Sequence, residues 1–168
     1  MDSDALKSMQ APIKEKMRTA PESGLITLKA SGSIDSANIA CKVETGRAIA
    51  IAGLHPATGG SGAELCSGDM LLQALVACAG VTLNAVATSL GFAVRDAELE
   101  AEGDLDFRGT LGVAKDAPVG FRTIRLAFDL DTEEPQERID TLIKLTERYC
   151  VVVQTINTQP ELAVSARA

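Results

Sequence analysis

From Met70 to Val94 the chain carries no charged residue. By count alone such a run is long enough to cross a bilayer. Three features argue against that. Much of its apolarity is alanine, Gln73, Thr82, Asn84, Thr88 and Ser89 interrupt it, and the flanking charges upstream are Glu64 and Asp69 rather than lysine or arginine anchors. The run reads instead as a long core helix. It starts near Ser67–Asp69, where either side chain could cap it, and stops at Gly91. A helix of about 21 residues is roughly 30 Å long. Leu71, Leu75, Cys78, Val81 or Thr82, and Val86 mark one face, and Leu72, Val76, Leu83 and Leu90 mark another. A helix apolar nearly all round must be buried nearly all round. One small sheet covers one side only, so the expectation is a homodimer in which two such helices lie between two sheets.

The remainder supports a soluble, cytoplasmic, single-domain reading of residues 1–168, with residues 1–22 as an N-terminal helical arm. A fold of this length buries roughly 70% of the surface its unfolded chain exposes, enough for a core without disulfides. Hydrophobic residues make up 46% of the chain and aromatics 3%, so that core is aliphatic. Sixteen Lys and Arg against 23 Asp and Glu give a net charge of -7. Such a surface does not suit the phosphate backbone of nucleic acid. Met1–Lys7 carries Asp2, Asp4 and Lys7 and no apolar stretch, so no secretory signal is read there.

Along the chain, Leu6, Met9, Ile13 and Met17 give residues 4–18 a helical spacing that ends at Pro21 and Gly24. Leu25–Leu28, Asn38–Glu44 and Arg47–Ile51 read as strands, with Gly32 and Thr45-Gly46 as turns. Gly59-Gly60-Ser61-Gly62 lacks the Gly-Lys-Ser/Thr of a phosphate loop and reads as a flexible connector. Ala97–Leu105 and Phe121–Leu130 alternate as strands, joined by a loop that Asp106–Gly109 leads into. After Pro135, Ile139, Leu142, Ile143, Thr146 and Tyr149 or Cys150 form the stripe of an amphipathic helix. Val151–Ile156 fits a short helix or a strand equally.

Thiols are the main chemical resource. Four cysteines, Cys41, Cys66, Cys78 and Cys150, include no C-x-x-C pair, and there is one histidine, His55, so no metal site is expected. A Ser–His–Asp triad lacks its Gly-x-Ser-x-Gly elbow. Asp104 and Asp106 form a spaced acidic pair that reads as solvated. Taken alone, Cys78 reads as a small buried hydrophobe; to be reactive it needs a nearby cation such as an arginine, because it lies too deep in its helix to feel that helix's N-terminus. Cys150 reads either as the last core residue of the amphipathic stripe or as a thiol at a helix N-terminus, where its pKa would fall. Cys41 and Cys66 read as incidental.

Three motifs resemble the OsmC/Ohr family: Glu64-Leu65-Cys66-Ser67-Gly68-Asp69-Met70-Leu71-Leu72-Gln73-Ala74-Leu75-Val76-Ala77-Cys78-Ala79-Gly80, Glu102–Gly109, and Glu147-Arg148-Tyr149-Cys150-Val151-Val152. The resemblance covers roughly residues 25–160. It implies an α+β fold of two layers, with antiparallel sheets wrapped around long central helices in an intertwined homodimer. It also implies reduction of organic hydroperoxides. Cys78 would be the peroxidatic cysteine and Cys150 the resolving one, with an external dithiol, such as a lipoyl group, as reductant and no metal, haem or flavin. The family usually places a glutamate ten residues before the peroxidatic cysteine, paired with an N-terminal arginine. Here that position is Gly68. Asp69 and Arg47 are the candidates for tuning the thiolate, with Arg18 a weaker one. The missing acid also keeps open a second reading, an OsmC-type small-molecule-binding or stress-response protein with little peroxidase activity.

Overall fold

The computed structural model describes residues 2–20, 31–35, 40–44, 49–112 and 114–167. In chain order its elements are helix α1 (Ser3–Thr19), strands β1 (Ser31–Asp35), β2 (Ala40–Glu44), β3 (Ile49–Gly53) and β4 (Leu65–Cys66), helix α2 (Ser67–Leu90), strand β5 (Asp96–Leu105), a helical turn α3 (Phe107–Thr110), strand β6 (Phe121–Asp131) and helices α4 (Gln136–Tyr149) and α5 (Val151–Asn157). They form one sheet in the order β1-β2-β3-β4 and a second of β5 and β6. The β1–β2, β2–β3 and β5–β6 pairs are antiparallel, and β3–β4 is a short parallel bridge. This is the α+β, two-layer architecture expected.

Helix α2 is the spine, touching α1, β4, β5, α4 and α5. Its N-cap is Cys66, and no side chain bonds back to the first turn, so neither Ser67 nor Asp69 caps it as expected. The end comes where glycine predicts it. Gly91 turns left-handed at φ 59°, and its N–H reaches the carbonyls of Ala87 and Thr88. The buried positions of α2 are Leu75, Ala79, Leu83 and Ala87, four residues apart and therefore on one stripe. Leu83 and Ala87 join Phe92 and Leu142 in the core, flanked by Leu99 and Phe128 from the strands and Ile139 and Ile143 from α4. Leu142 is wholly buried, a contribution on the order of 1.5–3 kcal/mol for a side chain of its size. The other faces of α2 stay open within one chain: Val81 is 74% exposed, and Leu71 and Leu90 are exposed as well.

Strands β5 and β6 follow the alternation read from the sequence, with the odd-numbered residues from Ala97 to Leu105 and the even-numbered ones from Ile124 to Leu130 turned inward. Three features depart from the reading. Gly32, expected to turn, lies inside β1 and pairs with Val43; a Ser-Gly-Ser-Ile-Asp strand shows no apolar alternation, and its partner β2 defines it. Asp106–Gly109 closes into α3 because the Asp106 carboxylate accepts from the Arg108 N–H. Gly59–Gly62 is a built turn rather than a loose connector. Gly59 and Gly62 take positive φ, a side chain at Gly60 would collide with the Leu54 carbonyl, and the Gly60 N–H donates to the His55 carbonyl. Leu25–Leu28, together with residues 38–39 and 47–48 at the starts of the next two expected strands, lies outside the described residues.

Candidate active site

The chain interrupts its own C-terminal helix at one residue. Cys150 ends α4 and opens α5 with φ -74° and ψ 111°, an extended conformation between two helices. Its own N–H completes α4 by donating to Thr146, and its carbonyl begins α5 by accepting from Gln154. The Gln154 side chain crosses the break to donate to the Glu147 carbonyl. A new helix start leaves its first backbone N–H groups without intrahelical partners. Here those groups belong to Val151, Val152 and Val153 and lie beside the two sulfurs, Val151 and Val152 acting on Cys78 and Val152 and Val153 on Cys150.

Helix α2 supplies the other side of the site. Cys78 lies one turn beyond the buried Leu75 and one turn before Thr82. The Thr82 hydroxyl is 2.8 Å from the Cys78 carbonyl and also reaches its sulfur; with one proton, it serves one acceptor at a time. The Cys150 thiol donates to the Cys78 sulfur, so both cysteines are free and hydrogen-bonded to each other. Burial raises the Cys78 pKa, but the Val152 amide, the Cys150 thiol, the Val151 amide and the Thr82 hydroxyl together outweigh it and leave the thiol below its ordinary value. For Cys150 burial comes first and is total. The Val153 and Val152 amides oppose it, yet its bond to Cys78 and the charge there add to it, and the thiol ends above its ordinary value. Of the two sulfurs, Cys78 ionises the more readily and Cys150 keeps its proton to higher pH.

Among the described residues, the groups that lower the Cys78 pKa are backbone N–H groups, a thiol and a hydroxyl. The helix N-terminus that favours Cys78 is that of α5, a different helix. Cys150, which the sequence leaves open as a buried core residue or a thiol lowered at a helix N-terminus, is both buried and at that N-terminus, and its pKa is raised because burial and its neighbour's charge dominate.

Asp69 is not brought to the thiols. It stands nine positions before Cys78, a rotation of about 180° at 100° per residue, and it lines a separate groove with Leu72, Gln73 and Val76. Arg47 and the side chain of Arg18 lie outside the described residues. At Gly68 a Cβ would sit 3.3 Å from Leu105 and 3.4 Å from Phe121. Apolar side chains occupy the direction in which a residue-68 carboxylate would leave the helix. Cys66, twelve positions before Cys78, is about 18 Å away along the helix axis, beyond disulfide reach within one chain. The side chain of Cys41 lies outside the described residues.

The remaining candidates have structural duties. His55 stacks on Phe107 at 4.7 Å, and its Nδ1 accepts from the Ala57 N–H. Arg125 bridges Asp104 and Glu102 on the exposed sheet face. Arg108 beside Asp106 holds that carboxyl down at about 2. Among the described residues no cluster of His, Cys, Asp and Glu could hold a metal ion.

A model of the OsmC-like proteins matches residues 60–165, which include both cysteines and every element from β4 to α5. The chain belongs to the OsmC-like family. No curated protein matches it by sequence. Among solved structures, an OsmC-like protein from Mycoplasma pneumoniae superposes with a TM-score of 0.67 at 14% identity, over 80% of this chain and 89% of that one. An organic hydroperoxide resistance protein from Elizabethkingia anophelis gives 0.64 at 16% identity, over 80% and 91%. Another, OsmC from Legionella pneumophila, gives 0.62 at 17%, over 79% and 90%. These likenesses establish the OsmC fold.

Proposed function

We propose that this OsmC-like protein is a thiol-dependent peroxidase for organic hydroperoxides. The observation that carries the reading is the surroundings of the Cys78 sulfur: the Val151 and Val152 amides, the Cys150 thiol and, when it turns from the Cys78 carbonyl, the Thr82 hydroxyl. These are donors placed where a thiolate must be held. The thiolate attacks the terminal oxygen of R–O–O–H and the O–O bond breaks. Cys78 is oxidised by two electrons to a sulfenic acid, and the alkoxide leaves as alcohol after taking a proton. Cys150 then attacks the sulfenic sulfur, the S–S bond forms and the hydroxyl leaves as water. An external dithiol, such as a lipoyl group, reduces the disulfide by exchange. The steps use the two protein thiols and the external dithiol and call on no metal, haem or flavin.

The open apolar faces of α2 fit a homodimer, with a second copy covering Val81, Leu71 and Leu90. The reading places the protein in the cytoplasm, where thiols stay reduced. A second reading, a small-molecule-binding or stress-response protein on the same fold with little turnover, is favoured by Gly68, where Leu105 and Phe121 occupy the space of the family's usual acid. Consumption of cumene hydroperoxide with dihydrolipoamide separates the two. The peroxidase reading predicts turnover in the wild type and none above background in Cys78→Ser. Equal rates in the two proteins support the binding protein.

A further inference from the structure

A cavity of about 210 Å³ opens between α2, β6, α5 and the end of α4. Neither cysteine lines it, but it lies next to the thiol pair. Leu75 lies one turn before Cys78 on α2, and Val153 is the residue whose N–H donates to Cys150. Its other apolar walls include Phe128 and Ile156. A dry cavity of about 150 Å³ is enough to admit benzene, so this one has room for an aryl ring or a short alkyl chain. Two polar side chains line it, Glu147 and Asn157. Glu147 is exposed, and among the described residues no lysine or arginine forms an ion pair with it.

We infer that Glu147 is a charge filter for substrate. It stands as the one carboxylate on the edge of this apolar cavity and selects neutral aryl or short alkyl hydroperoxides over those that carry a carboxylate. The inference rests on the peroxidase reading for the word substrate, but the filter itself acts on binding. A carboxylate brought within several ångströms of another, with part of the surrounding water replaced by apolar walls, is repelled more strongly than in bulk water. The net charge of -7 acts in the same direction at longer range.

The test compares three peroxides of one skeleton: cumene hydroperoxide, its para-carboxylate and the methyl ester of that acid. Expected for the wild type is a kcat/KM for the ester roughly three- to tenfold above that for the acid, with the gap shrinking as salt is raised. Glu147→Gln keeps the side chain's shape and the backbone carbonyl that Gln154 uses; it should speed the acid, leave the ester unchanged and weaken the salt dependence. The corresponding alcohols, cumyl alcohol and its para-carboxylate, should rank the same way in a binding titration. That arm needs no turnover. A chain that binds the neutral alcohol better but reduces no peroxide keeps the filter and loses the peroxidase. Cumene hydroperoxide turnover with equal rates for acid and ester, an acid-to-ester ratio unmoved by Glu147→Gln, or equal binding of the two alcohols overturns the filter.

Discussion

The middle of α2 and the break between α4 and α5 each present one cysteine to the other, and the two thiols shift in opposite directions. Cys78 comes from an unbroken helix, where the backbone donors of its own element are already used. It borrows the unused N–H groups of another helix's first turn. Cys150 sits at the break that generates those groups, but it is wholly buried and faces the charge it helps to stabilise. Burial alone raises both thiols; the donors decide which of them ionises the more readily. A cysteine's reactivity therefore depends on which neighbouring helix begins beside it, as well as on its own place in a helix.

Changes at the break sharpen this contrast. Cys150→Ser has the larger expected effect. It removes the partner that resolves the sulfenic acid while leaving a hydroxyl that can still donate to Cys78, so steady-state turnover with a dithiol should fall at least tenfold. The first oxidation should still occur, with the Cys78 sulfenic acid persisting long enough to be trapped by dimedone and seen by mass spectrometry. A full multiple-turnover rate in this variant would remove Cys150 from the cycle.

Val151→Pro is the gentler change. Val151 is 69% exposed, so little packing is lost. It stands at the first position of α5, where proline is welcome, and the extended Cys150 before it suits a following proline. The substitution deletes one N–H donor to Cys78. Losing a donor to the thiolate raises the Cys78 pKa, so at pH 7 less thiolate is present. The rate should drop roughly two- to tenfold, the size of one hydrogen bond, and recover as the pH is raised, with the plateau preserved. An unchanged pH profile would mean that this amide does not act on Cys78.

Much of this was legible in the residues, for identifiable reasons. The uncharged run and Gly91 specify α2 and its end, the alternation in β5 and β6 is strict, and the stripe of Ile139, Leu142, Ile143 and Thr146 specifies α4. Other features depend on distant partners. β1 is polar and defined by β2; β4 is two residues long. Val151–Val153 are β-branched and suit a strand as well as a helix, so the N–H groups that set the Cys78 pKa were hidden behind an unresolved choice of element. The side on which Asp69 falls follows from 100° per residue. What fills the space beside Gly68 does not, because Leu105 and Phe121 arrive from strands far along the chain.

The most direct test of the central claim is the rate at which each thiol is alkylated by iodoacetamide as a function of pH, read site by site by mass spectrometry on the reduced wild-type protein. Thiolate, not thiol, is the reacting form, so each rate climbs through that cysteine's own pKa and then levels off. The account predicts that Cys78 is labelled first, levelling off below the ordinary cysteine value, while Cys150 levels off above it. Labelling of Cys150 ahead of Cys78, or the same inflection for both, would contradict it.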